Sequence, residues 1–165
     1  MIKLISINEI DLAFEIILDV THDMVSKGIN QWDLIYPNKE TIEKDINNNH
    51  AYGYYNEHEL IGYISLNEIF SKEYNSVNWN YIDNGKPLII HRLAVKSSFQ
   101  GQGIAKKIIQ FAETHAKNNG YRTIRLDAFS KNRQALGLYE KLEYKYAGDV
   151  LFRKGVFVCF DKNII

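Results

Sequence analysis

The residues Gln100-Gly101-Gln102-Gly103-Ile104-Ala105-Lys106-Lys107 follow an apolar run, Leu88 to Val95, and open an amphipathic one. That order describes a buried strand, a glycine loop and a helix. The first turn of a helix has unpaired backbone N–H groups and a partial positive charge, so it suits an anion. Gly101 and Gly103 carry no Cβ, which lets a phosphate approach the backbone. Lys106 and Lys107 stand at the helix end that ordinarily disfavours cations. A bound pyrophosphate would make them partners; plain solvation is the other reading.

Four further side chains are equipped for proton transfer. Asp127 lies within Thr123 to Phe129, which reads as a central strand, where burial would raise its carboxyl toward a useful base. Pairing with Arg125 or Arg92 is the structural alternative. Glu68, at a strand end, and His91, on the face shared with Leu93 and Val95, are reserve bases. Tyr139 presents a phenol, which with a pKa of about 10 can act as an acid or simply pack with its hydroxyl satisfied.

The elements that must position these groups follow from pattern. A short strand is expected over Lys3 to Ile7, then an amphipathic helix from about Ile10 to Lys27 with Phe14, Ile17, Leu18, Thr21 and Val25 inward. An aromatic loop, Gly28 to Pro37, leads to a second helix from Lys39 to about Asn47. Ala51 to Tyr55 and Leu60 to Leu66 read as a hairpin, and Leu88 to Val95 as a fully buried strand. Residues 67 to 86 form a long polar and aromatic loop ending in the turn signal Asp83-Asn84-Gly85-Lys86; loops of that length are often functional. A helix from about Gly103 to Asn118, with Ile104, Ile108, Phe111, Ala112 and His115 as its stripe, precedes a strand over Thr123 to Phe129 and a helix over Asn132 to Leu142. Lys145 to Phe152 and Val156 to Asp161 close the chain as a hairpin. Helices interleaved with strands imply an α/β (α+β) fold whose mixed sheet is flanked by helices.

Composition narrows the function. A chain of 165 residues, 45% hydrophobic and 13% aromatic, fits a single domain with a sizeable core. Twenty basic residues balance twenty acidic ones, leaving no excess to neutralise nucleic-acid phosphates. The lone cysteine, Cys159, lies in an apolar run and reads as a buried hydrophobe, which suits a reducing cytoplasm. No signal-peptide layout opens the chain and no apolar run approaches a membrane span, so a cytoplasmic protein without membrane or nucleic-acid partners is expected.

Other phosphate loops fail the same residues. No Gly, four residues, Gly-Lys-Ser/Thr pattern occurs, and the dinucleotide fingerprint needs a third glycine where Lys106 stands. Gln100-Gly101-Gln102-Gly103-Ile104-Ala105, preceded by Leu93-Ala94-Val95, resembles instead the GNAT superfamily of N-acetyltransferases. Its next block is similar to the stretch from Ile124 to Tyr144, with Asn132, Ala135, Leu138, Tyr139, Glu140, Lys141 and Tyr144 in register. One departure is Glu143, where the family usually has Gly; a differently shaped helix end is expected there.

The resemblance implies one acyl-CoA N-acyltransferase domain over residues 1–165, with a mostly antiparallel central sheet, that moves acetyl from acetyl-CoA to a primary amine by direct attack. It implies that Leu93, Ala94, Val95, Gln100 to Lys106 and Asn132 hold acetyl-CoA, with a backbone N–H near Val95 as oxyanion donor. Asn132 also reads as a helix N-cap. Tyr139 would protonate the departing thiolate, and Asp127 would take the ammonium proton at a position where some relatives carry Glu. Trp32, Tyr36, Tyr74, Trp79 and Tyr81, with Glu68 and His91, are expected to line the acceptor site. The acceptor is a small molecule, an amino acid or a peptide N-terminus; no metal is implied, and a homodimer is compatible. A non-catalytic acyl-CoA-binding regulatory module is the alternative. Gly137, inside a helix, is expected to be required by close packing.

Overall fold

The computed structural model describes residues 1–82 and 85–165; Asp83 and Asn84 of the turn signal lie outside the described residues. In chain order the elements are β1 (Ile2–Leu4), α1 (Ile10–Ser26), α2 (Lys39–Asn47), β2 (Ala51–Asn56), β3 (Glu59–Asn67), β4 (Leu88–Val95), α3 (Ile104–Asn118), β5 (Thr123–Phe129), α4 (Arg133–Lys141), β6 (Lys145–Phe152) and β7 (Gly155–Asn163). The strands hydrogen-bond in the order β1-β2-β3-β4-β5-β7-β6. All the described pairings are antiparallel except β4 with β5, so the sheet is mixed and mostly antiparallel.

The chain forms two compact units. The first comprises Met1–Leu66 and His91–Phe111. In it β1 pairs antiparallel with β2, β2 with β3, and the Lys96 N–H donates to Ile61 C=O at 2.9 Å. Its core gathers Ala13, Ile16, Ile17 and Val20 of α1, Ile42 and Ile46 of α2, and Tyr63 of β3. The Asn38 side chain caps α2 by accepting from Thr41 N–H at 2.9 Å.

The buried side of α1 is Ala13, Ile16, Ile17, Val20, Thr21 and Met24, rotated about one position from the expected stripe. Val25 is exposed, and Phe14 and Leu18 are half-buried. The segment Leu12-Ala13-Phe14-Glu15-Ile16-Ile17-Leu18 is apolar around most of its circumference, so periodicity does not choose a face. β1 is shorter than expected because Ser6 and Glu9 form a capping box that turns Ile7–Glu9 into a 3-10 helix.

The second unit comprises Asn67–Ile90 and Ala112–Ile165. There Leu88 and Ile89 pair in parallel with Ile124 and Arg125. β5 pairs antiparallel with β7, and β7 with β6. Its buried residues include Ile124, Leu126, Ala128, Tyr139, Tyr144, Cys159 and Phe160. Burial, then Asp127 and Asp149, push the Cys159 thiol up to about 12, as befits a packed hydrophobe. Within the 67–86 loop, Lys72–Ser76 form a 3-10 turn.

Along α3 the fully buried positions are Ile104, Ile108, Ile109, Ala112 and Ala116, while Phe111 and His115 are only half-buried. β4 is buried at both ends, but His91, Arg92 and Leu93 are half-buried. Arg92 has φ +50°, which breaks the in-out alternation of an extended strand.

Candidate active site

In the first unit the strand-to-helix turn is held from inside the chain. Asp19 of α1 accepts from the Ser97 N–H at 2.6 Å and the Ser97 hydroxyl at 2.9 Å. Gln100 turns inward, its Nε2 donating to Val95 C=O at 3.0 Å. Gln100 therefore braces the loop against the strand end rather than reaching outward. Gly101 and Gly103 take φ of +75° and +77°, and a Cβ on either would meet nothing within 4 Å. Both glycines are exposed, as are Gln102, Lys106 and Lys107, whereas Ile104 is buried and Ala105 half-buried. Lys107 N–H reaches Gly103 C=O at 3.2 Å, so the N–H groups ahead of it in the first turn have no partner within the helix. Positive φ, open space and free N–H groups make a cradle for phosphate oxygens, so these residues fit a pyrophosphate such as that of coenzyme A.

Arg92 anchors a second constellation in this unit. Its Nε and Nη2 reach Asp45 Oδ2 and Oδ1 at 2.8 and 2.6 Å, and Nη1 donates to the Tyr36 hydroxyl at 2.7 Å. The Tyr63 hydroxyl donates to Asp45 Oδ2 at 2.6 Å. Burial works against the Arg92 charge, but Tyr36, Asp45 and Tyr63 outweigh it and raise its pKa. Arg92 is thereby committed to Asp45, which removes it as a partner for Asp127. Tyr36 stays largely exposed on this anchor, whereas Trp32 is 7% exposed and belongs to the core. Of these two expected acceptor residues, Trp32 is a packing residue. His91 is half-buried on β4, beside the distorted Arg92.

In the second unit, Asp127 sits on β5 opposite Cys159 of β7. Among the described residues it has no ion pair: the Tyr74 hydroxyl donates to its Oδ2 at 2.6 Å. Burial pushes the Asp127 carboxyl up, and the Tyr74 hydrogen bond pulls it partly back. Tyr139 is buried on α4, its ring 6.0 Å from that of Phe160. Burial, and then the Asp127 charge, raise the Tyr139 phenol above its ordinary value. Among the described residues the Tyr139 hydroxyl has no hydrogen-bond partner, so its proton is not already given to another group.

Asn132 caps α4, its side chain accepting from Ala135 N–H at 3.1 Å. Glu68 is half-buried; the Tyr121 hydroxyl at 2.9 Å and Lys86 at 3.2 Å hold its carboxyl below the ordinary range, opposite to what a base requires. Trp79 is half-buried and binds inward, Nε1 donating to Tyr74 C=O at 3.2 Å. Asp45, Asp19 and the Tyr74 pairing carry no sequence signal: each depends on contacts between residues distant in the chain.

Two expectations about α4 are corrected. A Cβ at Gly137 would meet nothing within 4 Å, so close packing is not why glycine stands there. Glu143 adopts φ +65°, so the helix end keeps the left-handed turn that a glycine would make.

A family model described as "Acetyltransferase (GNAT) family" matches residues 18–144. An uncharacterized N-acetyltransferase, YesJ, of Bacillus subtilis (strain 168) is 27% identical over 124 residues, covering 74% of this chain and 68% of that protein. Among solved structures, an acetyltransferase of the GNAT family from Streptococcus agalactiae is similar with a TM-score of 0.88 at 27% identity, over 99% of this chain and 94% of that one. The PaiA N-acetyltransferase of Thermoplasma acidophilum, solved in complex with coenzyme A, shares the fold with a TM-score of 0.73 at 20% identity, over 99% and 98% of the two chains. Among the described residues no cluster of metal-ligating side chains occurs, and no helix is long and apolar enough to cross a membrane.

Proposed function

Because the chain belongs to the acetyltransferase (GNAT) family and is an acetyltransferase, we propose that it moves the acetyl group of acetyl-CoA onto a primary amine by direct attack. The observation that carries this reading is Asp127: a carboxylate with a raised pKa, held by a hydroxyl instead of a cation. An ion-paired aspartate would be a poor proton acceptor; this one keeps its affinity for a proton.

Bound acetyl-CoA supplies an activated acetyl group as a thioester. The loop from Gln100 to Lys106 would hold its pyrophosphate on backbone N–H groups, and the strand end Leu93-Ala94-Val95 would present an N–H to the carbonyl oxygen. Asn132, besides capping α4, would stand near the pantetheine. Asp127 takes a proton from the acceptor ammonium, which frees the nitrogen lone pair for attack. As the C–S bond breaks, Tyr139 gives its proton to the departing sulfur; the attacking nitrogen, cationic after attack, loses its second proton to solvent, and the proton held by Asp127 returns to Tyr139 through solvent. Tyr36 and His91 remain the acceptor-facing assignments of the first unit, and Trp79 and Glu68 those of the second, with Glu68 as a contact rather than a base.

We take residues 1–165 as one such domain in a cytoplasmic setting, acting on a small molecule, amino acid or peptide N-terminus. Release of free CoA thiol from acetyl-CoA across amines, amino acids and short peptides tests activity and acceptor class together. Thiol release with an amine, strongly reduced in Asp127→Asn, is expected; release that ignores the amine sinks direct transfer.

A further inference from the structure

Phe70 and Trp79 of the 67–86 segment pack on the ring of Tyr74. Tyr74 is 4% exposed, and its backbone carbonyl accepts from Val77 N–H at 3.2 Å and Trp79 Nε1 at 3.2 Å. The Trp79 ring meets its edge at 5.0 Å and 61°, and Phe70 stacks at 6.2 Å and 9°. The Arg125 guanidinium lies over Trp79 at 4.6 Å from the ring centroid. Two hydrogen bonds thus hold the Tyr74 backbone, and two rings pack its side chain. The one polar atom it delivers is the hydroxyl on Asp127 Oδ2, at 2.6 Å.

We propose that Tyr74 is a positioning residue for the base: its hydroxyl occupies Asp127 Oδ2, fixes the carboxylate plane, and leaves Oδ1 to take the acceptor's proton. This rests on the reading of Asp127 as the base. A hydrogen bond of this length to a charged oxygen is charge-assisted and stabilises the ionised form. It therefore opposes the burial that raises the Asp127 carboxyl. The groups facing Asp127 are Tyr74 from the 3-10 turn, Tyr139 from α4, Cys159 across on β7, and Arg125 two residues along β5, with Asp149 of β6 acting on Cys159. Tyr74 is the group whose hydrogen bond to the carboxylate favours the charged state. Long loops of this kind are often functional; in this one Phe70 and Trp79 pack on the tyrosine whose hydroxyl holds Asp127.

The test is the pH dependence of kcat/KM, measured with acetyl-CoA and the best amine of the thiol-release screen, for the wild type, Tyr74→Phe and Asp127→Asn. The acidic limb reports ionisation of the base. Tyr74→Phe keeps the ring, so it should move that limb upward by about one pH unit, the scale of a lost hydrogen bond to a charged group, with KM for acetyl-CoA unchanged. A merely structural tyrosine would lower activity at every pH and leave the limb where it was; that result overturns the proposal while Asp127 stands as base, provided Asp127→Asn erases the limb. An Asp127→Asn enzyme with the wild-type limb overturns the base assignment and this inference with it. Should Tyr74→Phe fail to fold, Trp79→Phe removes the Nε1 donor that steadies Tyr74. It should shift the limb in the same direction by less, and an unmoved limb there also overturns the proposal.

Discussion

Tyr139 and Tyr144 are joined twice: the Tyr144 N–H donates to Tyr139 C=O at 3.0 Å, and their rings meet edge to face with centroids 5.8 Å apart. With Glu143 N–H donating to Glu140 C=O at 3.0 Å, this is a Schellman cap, its two tyrosines supplying the usual apolar contact across the helix end. The helix terminus thereby helps fix the ring that carries the proposed acid. The residue that must turn left-handed to close it is Glu143, with φ +65° and a Cβ that opposes the turn.

Glu143→Gly should therefore stabilise the protein by about 1 kcal/mol, near 3 °C in melting temperature for a chain of this size. Acetyl transfer should be unchanged, because the cap geometry already exists. A melting temperature at or below that of the wild type would show that the Glu143 side chain contributes more than its backbone costs.

Gly137 is the second helical position where the residue type costs stability. With open space where a Cβ would stand, Gly137→Ala should also gain about 1 kcal/mol from helix propensity. Calorimetry with CoA belongs beside the melt, and unchanged affinity is expected. A loss of affinity alongside the gain in stability would show that bound cofactor fills that space.

Asp45→Ala leaves the Arg92 guanidinium buried without its bidentate partner, and removing one side of a buried pair costs about 3 kcal/mol or more. Thermal melts should fall by roughly 9 °C on the same scale. The loss should persist at high salt, since buried pairs are poorly screened; a loss that disappears in salt would mean the pair is effectively at the surface.

These sites mark how far the sequence could be read. Local signals were sufficient for the strand, glycine loop and helix around Gln100, and for the Asn132 cap, because glycine, an apolar run and an N-cap residue act within a few positions of themselves. The face of α1 was missed because apolar residues surround it. Arg92 with Asp45, and Tyr74 with Asp127, join residues 47 and 53 positions apart, and no spacing rule reaches that far. Trp32 looked like a pocket wall because an aromatic residue in a loop reads the same whether it faces a ligand or the core.

The phosphate cradle makes its own prediction. Acetyl-CoA should raise the melting temperature by mass action. Gly103→Ala should weaken CoA binding at least tenfold, because a methyl group lands where phosphate meets backbone. It also strains a residue at φ +77°, so Gly120→Ala, with the same φ and equally open space, is the matched control. Equal losses of stability with CoA affinity kept only in Gly120→Ala are expected. Equal CoA affinity in both variants would move the anion elsewhere.

The proton assignments predict two separable limbs in the pH profile. Asp127 must be ionised to act; its carboxyl is raised by burial, so activity should fall as pH drops through a value above the ordinary carboxylate range. Tyr139 must be protonated, and burial raises its phenol, so the alkaline loss should come above the ordinary value for tyrosine. Tyr139→Phe retains the ring, its contacts with Tyr144 and Phe160, and the helix cap, so folding and acetyl-CoA affinity should stay within a few-fold. Turnover should fall by roughly 10²-fold, the usual scale for a lost positioned acid, and the alkaline limb should vanish while the acidic one remains. Asp127→Asn should do the reverse. A Phe variant with wild-type turnover and both limbs intact would make Tyr139 a packing residue, and the thiolate would then have to take its proton from water.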